Sequence, residues 1–224
     1  MKKRTLTFRA MTLLLFSFLA VSCGDDDDDT PRPNELEYNN AKYGLNQAFT
    51  VDFGPFGFVR NSNTHYFKAF ALVDTVGPTV QPKVTLELYL LSAGTASFKA
   101  GTFAYGDLSK VTSDTEAEAK FKTQNVFVES SFYIDANGDG DTEDNEEEFM
   151  ITGGTIRVSG AEPNYTIDCD LQLENNKGVK AFYAGEVAAI PIDLDDDDDV
   201  KTNLRKAPST APFHFKKPGS LRVN

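Results

Sequence analysis

Tryptophan is absent from the 224 residues, and only two cysteines, two histidines and three methionines occur. Each scarcity closes a class of chemistry. The two histidines, His65 and His214, are too few for a three-histidine zinc site. No H-E-x-x-H pattern, P-loop, G-x-G-x-x-G turn or G-x-S-x-G elbow is present either. Without tryptophan the chain lacks the commonest platform for stacking on a sugar ring, although eighteen phenylalanines and eight tyrosines remain. Cations are in deficit, with 22 Lys+Arg against 34 Asp+Glu. A surface this acidic repels nucleic acid and anionic headgroups, which excludes nucleic-acid binding. No apolar run approaches the ~20 residues that a membrane-spanning helix needs.

What is present begins with an address. The apolar run Met11 to Val21 follows Lys2-Lys3-Arg4 and precedes Ser22 and Cys23, the layout of an export signal peptide. Leu19-Ala20-Val21-Ser22-Cys23 resembles a lipobox, with Ala20 where that pattern usually has leucine. The resemblance implies that residues 1–22 are removed and that Cys23 becomes an acylated (palmitate-type) N-terminus. Gly24 and the run Asp25 to Asp29 resemble the surface-export signal of Bacteroidetes-type lipoproteins. That resemblance implies an outer-membrane protein facing the cell exterior and attached to the membrane through its lipid. Physically, the same run is a self-repelling solvated tether. Removing Lys2, Lys3, Arg4 and Arg9 leaves 18 basic against 34 acidic residues, a net charge of −16. With Cys23 lipidated, Cys169 has no partner for an intramolecular disulfide. It lies among alternating apolar residues and reads as a small core side chain.

Residues 1–22 thus read as signal peptide, 23–34 as lipidated acidic tether, 35–192 as the folded domain and 193–224 as a flexible tail, acidic then basic. Within the domain, short apolar runs alternate with turn residues. Expected strands are Gln47–Phe53, His65–Val73, Lys83–Leu91, Gly101–Tyr105, Asn125–Ile134, Thr155–Val158, Tyr165–Leu173 and Val179–Tyr183. The last three predict a meander. Val84, Leu86, Leu88 and Leu90 share one face, as do Tyr165, Ile167, Cys169 and Leu171, so the sheets are expected to be antiparallel and wet on one side. Only Ser113–Lys122 reads as helix, with Ser113 and Glu116 at capping-box spacing. The fold class is therefore all-β, an antiparallel β-sandwich or alternatively a closed β-barrel, with at most one short helix. The stretch from Glu148 through Gly185 resembles the C-terminal meander of uncharacterised Bacteroidetes-type β-sandwich lipoproteins, which implies a cell-surface role.

One constellation carries chemistry. Asp135 through Glu146 fits D-x-[DN]-x-[DN]-G-x5-E, the EF-hand calcium loop. That resemblance implies oxygen ligands from Asp135, Asn137 and Asp139, a backbone carbonyl from Asp141, a water-mediated contact from Glu143 and a bidentate Glu146. Strands are expected on either side instead of helices, and Thr142 replaces the usual apolar residue. Eight carboxylates in fourteen residues require either a cation or an open, solvated hairpin, and both readings stand.

For ligand binding, Phe53, Phe56 and Phe58 on the Gly/Pro segment Phe53-Gly-Pro-Phe-Gly-Phe58 form the candidate exposed aromatic patch. The alternative is a loop folded over the core. The expected function is a non-catalytic surface binding or adhesion module for a glycan or a surface protein, stiffened by Ca2+. An accessory subunit of an outer-membrane assembly is second, and a hydrolase of extracellular polysaccharide third.

Overall fold

The computed structural model describes residues 32–74, 83–137 and 148–191. Cys23, the acidic tether and the tail from residue 192 onward lie outside the described residues. Among those described the architecture is all-β: β1 (Glu35–Tyr38), β2 (Ala41–Gly44), β3 (Gln47–Phe56), β4 (His65–Val73), β5 (Val84–Ala93), β6 (Gly101–Tyr105), β7 (Val126–Phe127), β8 (Ser131–Ile134), β9 (Glu148–Ala161), β10 (Asn164–Leu173), β11 (Gly178–Glu186) and β12 (Ala188–Ala189). A single α-helix, α1 (Asp114–Phe121), follows a 3-10 turn at Leu108–Lys110.

Every strand joins one hydrogen-bonded sheet. Five of them, β5-β7-β6-β9-β8, close into a ring because β8 bridges β5 and β9. Two wings extend from that ring, β4-β3-β12 on one side and β10-β11-β1-β2 on the other. Closure and layering thus coexist: the sheet is barrel-like at its centre and sandwich-like in its wings. The expected single strand Asn125–Ile134 is in fact two short ones. The break falls at Glu129, whose φ is +42°, and it lets β7 reach β6 while β8 crosses to β9.

The wings enclose the first core. Phe70, Leu72, Leu86 and Leu88 face Ile156, Ile167, Cys169 and Ala181 within one cluster of buried residues, and the Phe70 and Tyr165 rings meet edge to face at 5.3 Å. Strand β10 alternates as its sequence predicts, with Ile167, Cys169 and Leu171 inside and Asp170 and Gln172 outside. Cys169 is a free, buried thiol, and burial pushes its pKa up, so it acts as an apolar filler.

Strands β4 and β5 depart from the expectation of one wet face. Thr85, Glu87, Tyr89 and Leu91 point away from the first core and are still at most 3% exposed. A second cluster occupies that outer face, built from Val51, Phe67, Ala69, Tyr89, Leu91 and Phe121 with their neighbours. Alternation in the sequence marks polarity, but a layer packed on the outside overrides it.

Helix α1 forms part of that layer. Ser113 caps it by accepting from the Glu116 N–H at 3.3 Å. The Glu116 carboxylate reaches back one residue further than a capping box requires, accepting from the Thr112 N–H and hydroxyl at 2.8 Å each. Ala117 and Phe121 are its buried residues. Glu118 on the same helix accepts from the Phe58 N–H at 2.9 Å and from the Ser62 hydroxyl at 3.0 Å, clamping the β3–β4 turn. His65 lies beneath, fully buried. Its Nε2–H donates to the Phe121 and Gln124 carbonyls at 3.1 and 3.2 Å, and the Thr64 hydroxyl donates to Nδ1 at 2.9 Å. Burial lowers its pKa against the pull of those carbonyls, so the ring is held neutral.

Candidate functional site: an aromatic and lysine cleft at the hairpin end

Two turns and the adjoining ends of β5 and β8 lie at one end of the sheet. The β1–β2 hairpin turns through Asn39 and Asn40, with φ of +52° and +64°. This is the left-handed pair that a two-residue turn between twisted strands needs, and asparagine tolerates it. Beside it, because β1 pairs with β11, the β10–β11 turn presents Lys177. Lys83 and Asp135 complete the rim, where the Asp135 N–H donates to the Lys83 carbonyl at 2.9 Å.

Between these segments runs an open cleft of about 470 Å³, walled by Tyr38, Tyr43 and Phe149, with Lys83, Lys177 and Asp135 around its mouth. A smaller depression of about 260 Å³ adjoins it, sharing Asn39 and Lys177 and adding Lys180 and Glu37. Tyr38 is the fixed element. Its ring lies 4.9 Å from Phe132 and 6.0 Å from Phe149. The Asn175 amide donates to its hydroxyl at 3.2 Å, and the Lys177 amine sits 5.5 Å from the ring centre. Tyr43 and Phe149 are only partly buried, which leaves apolar ring surface open to a ligand. The cleft therefore combines aromatic faces, amide groups and two ammonium groups. It has the means to stack on a flat apolar surface and to hydrogen-bond hydroxyl or carboxylate oxygens around it.

The residues singled out from the sequence are distributed differently. Phe53, Phe56 and Phe58 are 8%, 4% and 0% exposed and belong to the second core, so they are not an exposed ligand-binding patch. Gly54-Pro55 is the reason. Instead of ending β3, it makes a β-bulge, with Gly54 at φ +80° and the register to β4 shifting between Asp52 and Gly54. The strand runs on to Phe56, and the bulge keeps the rings on the covered face. There Phe53 stacks on Phe67 at 4.5 Å, and Phe58 packs 5.4 Å from Phe56.

Of the calcium-loop residues, Asp135 and Asn137 are described, at the exit of β8. Asp139, Asp141, Glu143 and Glu146 lie outside the described residues, as does Cys23. Strands β8 and β9 pair antiparallel, Tyr133 opposite Glu148, and Asp135 at the end of β8 lines the cleft. Among the described residues no group of three or more His, Cys, Asp or Glu side chains is placed to hold a metal ion.

A second polar cluster lies on the wall between the wings. Lys68, 2% exposed, carries a charge that is costly to bury alone. Glu162 hydrogen-bonds its amine, Asp52 stands 3.6 Å away, and the Phe98 and Tyr165 rings approach to 5.7 and 5.8 Å. Burial works against the charge, yet the Glu162 hydrogen bond with the fields of Tyr165, Glu162 and Asp52 outweighs it and raises the pKa. An amine held charged this firmly is a structural tie between β4 and the β9–β10 turn, not a nucleophile.

The sequence did not point to Tyr38, Tyr43, Lys83, Phe149 or Lys177. The usable signal was Leu36 and Tyr38 alternating into Asn39-Asn40, a hairpin turn that marks β1 and β2. No family model, curated protein or solved structure matches this chain.

Proposed function

We propose that this protein is a cell-surface lipoprotein, anchored in the outer membrane through Cys23, whose β domain captures glycan without transforming it. The cleft between the β1–β2 and β10–β11 turns carries the reading. Open aromatic faces at Tyr43 and Phe149 suit stacking on a sugar ring, and Asn39, Lys83 and Lys177 suit its hydroxyl or carboxylate oxygens. Phenylalanine and tyrosine here supply what tryptophan commonly does. The N-terminal sequence supports the address, by its resemblance to a lipobox followed by an acidic export run. The β8–β9 loop, by its resemblance to a calcium loop, would hold Ca2+ at the rim of the cleft and stiffen it.

The test is titration of the mature protein with a panel of neutral and acidic oligosaccharides, repeated with Tyr43→Ala/Lys177→Ala. A binder that loses at least tenfold in affinity in the variant, about 1.4 kcal/mol, supports the reading. Equal affinity in both proteins overturns the cleft as the site.

One observation favours a second reading. Strand β2 ends the sheet path and pairs only with β1 among the described strands, so its outer edge offers backbone groups for strand addition by a partner. That suits an accessory subunit of an outer-membrane assembly. Recovery of one stoichiometric partner from detergent-solubilised membranes, lost when Pro replaces Lys42, which pairs with Glu37 at a position whose N–H faces that outer edge, would favour it over glycan capture.

A further inference from the structure

In a chain with 34 acidic and 22 basic residues, a cavity border should on average be acidic. The border of the two adjoining cavities at the hairpin end is the reverse. Lys83, Lys177 and Lys180 stand on it against two acids, Asp135 and Glu37. All three lysines are exposed. Elsewhere in the domain Arg32, Lys42, Lys68, Lys110 and Arg157 are ion-paired with the protein's own carboxylates, but these three lysines are in no ion pair. Even Glu37, directly opposite Lys180 in the β1–β11 pairing, forms none with it.

Lys177 is the junction, since it lines both cavities together with Asn39. Its backbone is held from both sides. The N–H donates to the Asn175 side-chain oxygen at 3.0 Å, and the carbonyl accepts from the Leu173 N–H at 2.9 Å. Its amine stands 5.5 Å from the centre of the Tyr38 ring. An ammonium has three N–H donors, and one ring face does not satisfy them all, so donors remain for an anionic oxygen.

The two cavities differ in chemistry. The larger, about 470 Å³, has aromatic walls that include Tyr43 and Phe149. The smaller, about 260 Å³, has no aromatic residue and adds Asn40, Gly178 and Lys180 to the shared pair. The first suits a sugar ring by stacking, and the second suits a following unit by hydrogen bonds and charge. A single small ring needs only one of them, whereas a chain uses both.

We propose that the ligand is a linear, anionic glycan, its acid groups uronate carboxylates or sulfate esters, laid from the aromatic cleft across Lys177 into the Lys180 depression. This rests on the glycan reading of the cleft and narrows it to one chemical class. Lys177 binds the acid group at the junction, Lys83 flanks the stacked unit, and Lys180 takes the acid of the next one.

Calorimetric titration of the mature protein tests this with three hexasaccharides and one peptide. They are oligogalacturonate, its methyl ester (the same chain without charge), a sulfated oligogalactan, and hexaglutamate. One or both acidic saccharides should bind about tenfold tighter than the ester at low salt, and the margin should shrink as salt rises. Which of them binds separates carboxylate from sulfate. Lys177→Gln should lower that affinity about tenfold and Lys177→Arg restore it. Lys180→Gln should remove most of the advantage of the hexasaccharide over its disaccharide. Lys99→Gln, on the β5–β6 link outside both cavities, changes the bulk charge equally and should leave the affinity unchanged. Equal binding of ester and acid overturns the proposal while glycan capture stands. Hexaglutamate bound as tightly as the acidic saccharides overturns it too, because charge alone then suffices. Silence from every saccharide, the ester included, overturns the glycan reading and this proposal with it.

Discussion

Replacing Phe58 by alanine distinguishes the covered core that the structure shows from the exposed aromatic patch that the sequence suggests. Phe58 is 0% exposed, and its ring lies 5.4 Å from Phe56, 5.8 Å from His65 and 5.9 Å from Phe121. Truncation there removes buried ring surface and leaves a cavity that α1, clamped by Glu118, is poorly able to fill. Such substitutions cost about 3–5 kcal/mol, a large fraction of the roughly 5–15 kcal/mol that stabilises a domain. With a urea m-value of about 2 kcal/mol per molar, the unfolding midpoint should fall by about 2 M. Phe58→Leu keeps most of the volume and should cost less than about 1.5 kcal/mol. Equilibrium unfolding followed by circular dichroism measures both. Glycan titration of the same variants should be unchanged, because the cleft lies at the opposite end of the sheet. A midpoint shift below about 0.5 M at constant m, or a selective loss of ligand binding, would refute the core assignment and restore the patch.

Two further outcomes follow from the polar groups. His65 is held neutral, with its pKa below the ordinary 6.5. The unfolded chain therefore binds more protons than the folded one as pH drops below about 6.5, and stability must fall with pH through that window. His65→Gln should flatten the pH 7 to pH 5 part of the melting-temperature profile, and an unchanged slope would show that the ring does not titrate against folding. For the β8–β9 loop, millimolar calcium should raise the melting temperature over that in EDTA, since extracellular calcium modules bind at roughly 10⁻⁴–10⁻³ M. Asp135→Ala/Asp139→Ala should abolish the rise; no rise in the parent protein would make the loop solvated charge.

The β9–β10–β11 meander was legible because its strands meet the simplest condition, one face on the core and one in water, and Ile167, Cys169 and Leu171 record it directly. α1 was legible from Ser113 and the single short helical stretch. Strands β4 and β6 were found to the residue. The second core was less so, since Thr85 and Glu87 carry polar side chains whose burial depends on what packs above them. The bulge at Gly54 was read as a turn because Gly-Pro signals a break in direction, and only the partner strand shows that pairing resumes beyond it. Strands β1 and β2, four residues each, sit at the shortest length at which alternation can be read, and only Leu36 and Tyr38 before Asn39-Asn40 carry it.

The sequence by itself determined the all-β class, the meander, the helix and its cap, and the acidic character, because each rests on local period, turn chemistry or composition. The tertiary structure alone decided the five-strand closure, the two-sided burial of β4 and β5, and the cleft. Those require pairings between residues far apart in the chain: β8 with both β5 and β9, and Tyr38 with Phe149 and Lys177. Long-range pairing is chosen by the total surface that a whole arrangement removes from water, a sum that no local window of sequence contains.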